Sequence, residues 1–359
     1  MTADPGVVAV NRHEVVALCL AVLDAVGTDR RVAELLTETA LFAEDRGRAV
    51  VGVAHMLDHI DAMEDGRLDG RAVPLLGHPA PTVTTSDARG GIAQTGFDGA
   101  FAGLVKAAHH YGLAAFAHQG SFTCGPLGWF TERLADAGLV AVATAVSPAV
   151  LAARAVTDPA TTRPPRAPRV AGRPAPDQFT RRVFGTNPMA WSVPRPDRAP
   201  LTVDQASSST AFVSVRDAAA QGTPLPEGWA VDADGRPTTD PEAALEGALL
   251  PFGGYKGANI ALLVELLSSM AGGNWSMDAP PWDSGARSPS VGMFVLAVDH
   301  GAVGLGFPAR AAEHLGRLAD SGVQLPGDRR TGPSAAAADH LVLRADVVAA
   351  LRRRAGGGQ

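Results

Sequence analysis

The chain has only two cysteines in 359 residues, Cys19 and Cys124. Two thiols so far apart in sequence supply neither a disulfide framework nor a metal-ligand spacing, so both are expected to be reduced, and no metal site is expected. Long apolar runs are missing too. The longest, Ala258 to Ala271, is short of the ~20 residues that a bilayer requires, and it contains Glu265. Residues Met1 to Asn11 lack a basic stretch followed by an apolar core, and Glu14 and Asp24 already lie in the first amphipathic segment, so no secretion signal is read. A basic surface is absent: 31 Lys and Arg against 37 Asp and Glu leave a formal charge of −6, with arginines scattered among acids. That argues against a nucleic-acid partner. No Gly-x-Gly-x-x-Gly follows a strand pattern and no Walker-type Gly-Lys-Ser occurs, so any bound nucleotide is held outside the common fingerprints. With 46% hydrophobic and 19% charged residues, the composition is that of a globular, cytoplasmic protein with apolar surface for one large core or two modest ones.

What is present is an alternation of helix and strand patterns. Asn11 followed by Glu14 resembles a helix cap with its capping partner, and Val15, Leu18, Cys19, Val22 and Leu23 continue one face as far as Gly27. A second helix is expected over Arg30 to Asp45, and a third from Gly52 to Glu64, closed by Gly66. From Pro74 the pattern becomes mixed. Helices are predicted over Gly99 to His110, Leu127 to Ala137 and Ala211 to Gln221, and strands over Leu113 to Ala117, Leu139 to Thr144, Val183 to Val193 and Leu201 to Val203, with a turn at Asp234-Gly235. The implied fold class is mixed α/β. We expect a helical domain over 1–73, completed by C-terminal helical segments at about 331–359, and an α/β domain over 74–330. Within the latter, the Pro-, Ala- and Arg-rich stretch Thr157 to Asp177 reads as an exposed loop. The tail from Arg353 is expected to fray.

Four short segments carry candidate chemistry, and each has a plainer reading. Gly185-Thr186-Asn187-Pro188 interrupts an apolar run in a way that suits close approach of backbone to a ligand, or is simply a turn. Leu201 to Asp204 ends a strand in a carboxylate and runs into Gln205, Ala206, Ser207, Ser208, Ser209 and Thr210. The small hydroxyl residues ahead of a helix offer donors to an anion, unless Asp204 or a serine only caps that helix. Lys256, on the glycine-framed turn Phe252 to Gly257, puts a cation at the start of an apolar helix, where it opposes the helix dipole unless an anion compensates it; a solvent-facing lysine is the alternative. Val323 to Leu325 reads as a strand entering a turn with Arg329 and Arg330, as phosphate contacts or as surface.

In this order the segments resemble the malate/L-lactate dehydrogenase family of the second type, which includes malate, ureidoglycolate and sulfolactate dehydrogenases, diketogulonate reductase and the reductases of piperideine- and pyrroline-2-carboxylate. The resemblance runs from about residue 12 to about 350. It is most specific in Gly185-Thr-Asn-Pro-Met-Ala-Trp191, Glu227-Gly-Trp-Ala-Val-Asp-Ala-Asp-Gly-Arg-Pro-Thr-Thr-Asp240 and Leu250-Pro-Phe-Gly-Gly-Tyr-Lys-Gly257. It implies a non-Rossmann nicotinamide-binding domain with a largely antiparallel sheet, a helical domain and a homodimer. It also implies that NADPH or NADH is held around Val203, Asp204, Gln205, Ala206, Ser207 and Ser208, by Tyr255 and Lys256, and by Gly327, Asp328 and Arg329, with Ser147 as a further contact. Thr186 and Asn187 would face the substrate.

The departures from the family carry the functional reading. Where the family has Arg-Gly-Val-Asp-Ser-His-Gly-Val-Ala-Arg-Leu, this chain reads Arg46-Gly-Arg-Ala-Val-Val-Gly-Val-Ala-His-Met56. The family's serine, histidine and substrate-binding arginine are therefore Val50, Val51 and His55. A second motif, Asn-Ser-Asn-His-Phe-Gly, stands here as Gly120-Ser-Phe-Thr-Cys-Gly125, which puts Thr123 at the other histidine position. Ketone reduction creates an alkoxide, and a positioned acid contributes roughly 10²–10⁴-fold; valine cannot serve. An imine that arrives protonated needs no proton in the hydride step. The expected substrate pocket comprises Val50, Val51, His55, His59, Thr123, Thr186 and Asn187, with His55 as replacement acid, steered by the retained Asp204. Histidines 55 and 59, one turn apart, are expected to share a helix face. The pair His109-His110 reads as surface charge near a helix C-terminus, and Cys124 as a buried thiol or a cofactor contact. We expect an NAD(P)H-dependent reductase of an imine or other preactivated acceptor in specialised biosynthesis. The alternatives are a cyclase or isomerase on the same scaffold, or a catalytically silent cofactor-binding partner subunit.

Overall fold

A computed structural model of the chain describes residues 6–154, 179–196, 198–326 and 339–356. The stretch Thr157 to Asp177 and residues Gly327, Asp328, Arg329 and Arg330 lie outside the described residues.

A short strand, β1 (Val7–Asn11), leads into α1 (Arg12–Ala25) and α2 (Arg30–Glu44). Asn11 accepts from the His13 N–H, and Asp29 from those of Arg31 and Val32, so each helix starts where a short polar side chain satisfies free amides. Glu14 does not close a capping pair with Asn11. It is taken by Arg352 at 2.6 Å, a charged donor that the neutral amide cannot match. In place of one helix from Gly52, a 3-10 turn spans Ala49–Val51, and α3 begins at His55 (His55–Glu64).

Next come β2 (Leu75–Ala80), β3 (Val83–Asp87), α4 (Ala93–Tyr111), β4 (Leu113–Ser121), α5 (Leu127–Asp136), β5 (Val140–Ala145) and β6 (Leu151–Arg154). Beyond Asp177 lie β7 (Phe179–Phe184), β8 (Met189–Arg195), β9 (Arg198–Gln205), α6 (Phe212–Gln221), β10 (Ala230–Val231), β11 (Pro237–Thr238), α7 (Pro241–Glu246) and β12 (Ala248–Leu249). The chain closes with α8 (Tyr255–Ser268), β13 (Val291–Val298), α9 (His300–Val303), α10 (Phe307–Asp320), β14 (His340–Arg344) and α11 (Ala345–Gly356). Two expectations fail at the C-terminal end. Val323 to Leu325 form no strand, and the residues from Arg353 stay helical to Gly356, because Arg354 is anchored on Asp61 at 2.5 Å.

The main sheet runs β2-β3-β4-β13-β5-β8-β9 and is antiparallel at every junction except β3–β4. This largely antiparallel order, without successive βαβ crossovers, is the non-Rossmann arrangement expected. A second sheet runs β11-β10-β12-β6-β7, and β1 pairs with β14, tying the two ends of the chain together. The apolar run Val183 to Val193, read as one strand, is two strands in different sheets. Asn187 at φ +35° forces the break.

One apolar core extends from α1, α2 and α3 through α4 and α5 to the main sheet. Phe97 on α4 sits at its centre, with ring centroids 5.0 Å from Phe130, 5.6 Å from Phe116 and 5.9 Å from Trp129. Edge-to-face packing of this kind adds about 0.5–1.5 kcal/mol per pair beyond area burial. It locks α4 and α5 onto the sheet, and their ends frame the cleft described next.

Candidate active site

The cleft, about 440 Å³ in volume, lies where the N-terminal helices meet the ends of β5, β9 and α6. Its first wall is the turn after α2. Gly47 at φ +67° reverses the chain, and the Arg48 N–H returns to the Ala43 carbonyl at 2.9 Å. Glu44 then reaches across the turn to accept the Val53 N–H at 2.7 Å. A Cβ on Gly52 would stand 2.2 Å from that carboxylate and push it off the Val53 amide. The turn thereby pins Arg48, Val50 and Val51 on the cleft wall.

The second wall is α3 and the segment after β4. His55 opens α3 and faces the cleft, with Nδ1 2.7 Å from Asp58 Oδ2 and its ring edge-on to Trp282 at 5.7 Å. Burial pushes the Asp58 carboxyl up, but the His55 hydrogen bond and the charges of His55, His59 and Arg216 outweigh it and hold the group below its ordinary value. The carboxylate that orients His55 is therefore Asp58 and not Asp204, as the sequence suggested.

Asp204, at the end of β9, does line the cleft. Its Oδ2 accepts the Gly128 N–H at 2.9 Å, so it satisfies a free amide at the start of α5 and does not cap α6. Burial raises its pKa against the lowering influence of Arg48 and Gly128. Arg48 donates Nη2 to the Asp204 main-chain carbonyl, while Nη1 stays 3.9 Å from the carboxylate.

His59 is not in the cleft wall. It lies behind it, 6% exposed and packed edge-on against Phe122, although it shares a face of α3 with His55 as expected, their ring centroids 4.6 Å apart. Its Nδ1 is 2.8 Å from the His55 carbonyl and its Nε2 3.3 Å from Thr123 Oγ1. Burial, with the neighbouring charge of His55, lowers its pKa to about 3. The ring is then neutral, and a carbonyl can only accept, so Nδ1 carries the proton and Nε2 the lone pair. The Thr123 hydroxyl must donate to Nε2. Thr123 lines the cleft, and its hydroxyl proton is committed to His59 behind the wall.

The third wall carries the groups suited to a cofactor. Ser147 and Thr186 face the cleft with hydroxyls 3.1 Å apart, next to Val146, Pro148 and Ala206. Ala211, Phe212 and Val213, the start of α6, also line it, and α6 has no side-chain cap, so main-chain N–H groups remain for an anionic group. An apolar wall, two hydroxyls and free helix-start amides are a donor set that fits a nicotinamide nucleotide.

Other expected contacts are placed elsewhere. Asn187 is fully buried behind the wall. It donates to the Ala261 carbonyl at 3.0 Å and to Glu265 at 2.8 Å, and it accepts from the Ser147 N–H, so it braces the wall and does not face substrate. Ser207 and Ser208 turn inward, their hydroxyls donating to the Asn187 and Thr210 carbonyls. Val203 is half-buried and Gln205 exposed, and neither is part of the cleft wall. Tyr255 and Lys256, at the start of α8, are exposed outside it. The turn that bears them is tied to the Ser207 segment through the Phe252 N–H and Ser207 carbonyl at 3.1 Å. Cys124 borders the cleft with 6% exposure, and burial pushes its thiol up to about 12, which leaves it unreactive at neutral pH. His109 bonds Asp299 at 3.2 Å near the end of α4, the surface role expected.

Sequence reasoning missed three participants: Arg48, Asp58 and Trp282. Asp58 had a readable signal, its i, i+3 spacing from His55. Trp282 reaches the cleft from a loop far along the chain, which no local pattern reveals.

Comparison with known proteins agrees with this architecture. The sequence model of the malate/L-lactate dehydrogenase family matches residues 10–351, and the chain belongs to that family of oxidoreductases. A Delta(1)-pyrroline-2-carboxylate/Delta(1)-piperideine-2-carboxylate reductase of Pseudomonas putida is 34% identical over 330 residues, covering 90% of each chain. A (2R)-3-sulfolactate dehydrogenase (NADP(+)) of Chromohalobacter salexigens is 34% identical over 328 residues, covering 89% of this chain and 90% of the relative. Among solved structures, delta1-piperideine-2-carboxylate reductase from Pseudomonas syringae superimposes with a TM-score of 0.83 at 30% identity, covering 97% of this chain and 99% of that one.

Proposed function

We propose that the protein is an NAD(P)H-dependent reductase whose acceptor is an imine, of the cyclic 2-carboxylate type on which several relatives act, and that it serves specialised biosynthesis and not keto-acid turnover. The observation that carries the acceptor class is the hydrogen bond from Thr123 to the neutral His59. It spends the Thr123 proton on His59, so this cleft-lining hydroxyl has lone pairs but no proton to offer, which suits the N–H of a protonated imine and disfavours a ketone oxygen.

The nicotinamide cofactor, when bound, supplies hydride. Ser147, Thr186, Ala206 and the start of α6 are the groups that would hold it, with Lys256 available outside the wall for a phosphate. Hydride addition at a protonated imine carbon sends the C=N π pair to nitrogen and leaves a neutral amine. A ketone would leave an alkoxide that needs its proton within the hydride step, and the positions at which the family holds its acid carry Val50 and Val51, whereas an imine needs only to be protonated beforehand. His55, oriented by Asp58, is the acid that keeps the imine nitrogen protonated. The two valines exclude water from this end of the cavity.

The N-terminal helices with β14 and α11 are taken as one domain and the sheets with their helices as the other. The protein is taken as cytoplasmic, and a homodimer fits the apolar face of α8, where Leu262, Leu263 and Leu266 are 45–52% exposed. No described helix is long and apolar enough to cross a membrane.

The test is steady-state reduction of Δ1-piperideine-2-carboxylate and Δ1-pyrroline-2-carboxylate against pyruvate, with NADPH and with NADH. The reading predicts kcat/KM at least about 10²-fold higher for an imine. Equal or faster reduction of pyruvate contradicts it. Turnover of neither, with the cofactor bound, replaces it with the non-redox or silent-subunit reading.

A further inference from the structure

The family's carboxylate-binding arginine is His55 in this chain, and Arg48 lines the same cleft where the family carries valine. We infer that Arg48 is the anchor for the substrate's anionic group, a carboxylate on the carbon next to the imine nitrogen, and that it sets the enzyme's preference for charged over neutral imines. The inference deepens the imine-reductase reading and rests on it for the identity of the ring, but not for the anion.

Three observations carry it. Arg48 is the only arginine or lysine among the described residues that line the cleft. Its side chain is 39% exposed, and only Nη2 is engaged in a hydrogen bond among the described residues, with the Asp204 carbonyl. That contact fixes the guanidinium on the wall and leaves Nη1 and Nε available, since Nη1 is 3.9 Å from the Asp204 carboxylate and beyond hydrogen-bond reach. Arg48 and Asp204 form only a loose ion pair, Nη1 to Oδ1 at 3.9 Å, while the other carboxylate oxygen accepts the Gly128 amide, so the pair leaves donor positions on the guanidinium unfilled.

The placement is built. Gly47, the Arg48 N–H and the Glu44 clasp on Val53 hold the segment rigid, so the anchor loses little freedom on binding. Positioned arginine is suited to a carboxylate because two parallel N–H donors meet its two oxygens. With Thr123 accepting from the ring N–H across the cavity, the two contacts would orient a cyclic imino acid at two points.

The experiment uses a non-reacting pair, pyrrole-2-carboxylate and uncharged pyrrole, whose binding is read by tryptophan fluorescence with Trp282 in the wall and checked by calorimetry. The wild-type protein is expected to prefer the carboxylate by about 10- to 100-fold, the range of a charge-assisted pair. In Arg48→Gln the preference is expected to fall below about threefold, with Arg48→Lys intermediate, while the dissociation constant for NADPH or NADH stays within about twofold. A wild-type protein that does not prefer the carboxylate overturns the inference, as does an Arg48→Gln protein, folded by its Tm, that keeps the preference. Loss of cofactor affinity in place of carboxylate preference assigns Arg48 to a cofactor phosphate and also overturns it. Carboxylate selectivity through Arg48 without imine turnover would instead retain the anchor and reject the reductase reading.

Discussion

Thr123 and His59 form one unit: the hydroxyl donates to a ring nitrogen 3.3 Å away whose partner nitrogen is committed to the His55 carbonyl. Because the ring is buried and neutral, the direction of that hydrogen bond is fixed. Thr123→Val removes the hydroxyl from the cleft wall and strands Nε2. The expected result is a fall of about tenfold in kcat/KM for an imine, seen in steady-state rates, with little change in cofactor affinity. Thr123→Ser, which keeps the hydroxyl, should recover most of the activity.

His55 and Asp58 are expected to act together. His55→Ala should lower kcat by about 10²-fold in steady-state rates. Asp58→Asn replaces the carboxylate that holds Nδ1 with a neutral amide and should lower kcat by a smaller factor, with cofactor affinity unchanged. Unchanged rates in both variants would remove His55 from the chemistry.

Adding back an acid tests the role of the valines. Val50→Ser with Val51→His should raise pyruvate reduction by at least about 10²-fold in a folded protein that binds cofactor. No gain would mean that the pocket differs from its keto-acid relatives beyond these two side chains.

Buried histidines make stability pH-dependent. Burial lowers His59 to about 3 and His118 to about 4, below the ordinary 6.5 that each regains on unfolding. Between those values the unfolded chain binds protons that the folded chain does not, so stability is full above pH 6.5 and falls as the pH drops towards 4. The slope approaches about 1.4 kcal/mol per pH unit for each histidine. Denaturant unfolding at pH 7, 6 and 5 should show the decline, and His118→Gln should flatten it by about half.

The bracing of the third wall is open to the same measurement. Asn187→Ala leaves Glu265 and the Ala261 carbonyl short of a buried donor and should cost about 2–3 kcal/mol. A loss below about 0.5 kcal/mol would mean that water replaces the amide.

Much of the fold was legible because its helices carry local signals. Asp29 and Asn11 cap, Gly27 and Gly66 stop, and the apolar spacing of α1 and α2 marks the buried faces. The turn at Gly185 to Pro188 was one of the two readings of that tetrapeptide, but the assignment of β7 and β8 to different sheets was not legible. An apolar run does not say which sheet each half joins, and only the backbone at Asn187 separates them. In the site, Val50, Val51, His55, Thr123, Thr186, Ser147, Asp204 and Ala206 do meet around one cleft. His59 and Asn187 were misplaced because helix periodicity and turn chemistry put a polar residue near a ligand without telling which side of the wall it faces. Glu14 was paired with Asn11 by sequence proximity and Asp204 with His55 through the family resemblance, whereas their partners in the structure include Arg352 and Gly128, both distant in sequence.

The most direct measurement is transfer of label from NAD(P)H deuterated at the nicotinamide C4 to Δ1-piperideine-2-carboxylate, read by mass spectrometry of the product. One deuteron at the former imine carbon, in one stereochemical sense and at a rate that matches cofactor oxidation, is the predicted result. Product without label, or no cofactor oxidation in a protein saturated with NADPH or NADH, would contradict hydride reduction at this cleft.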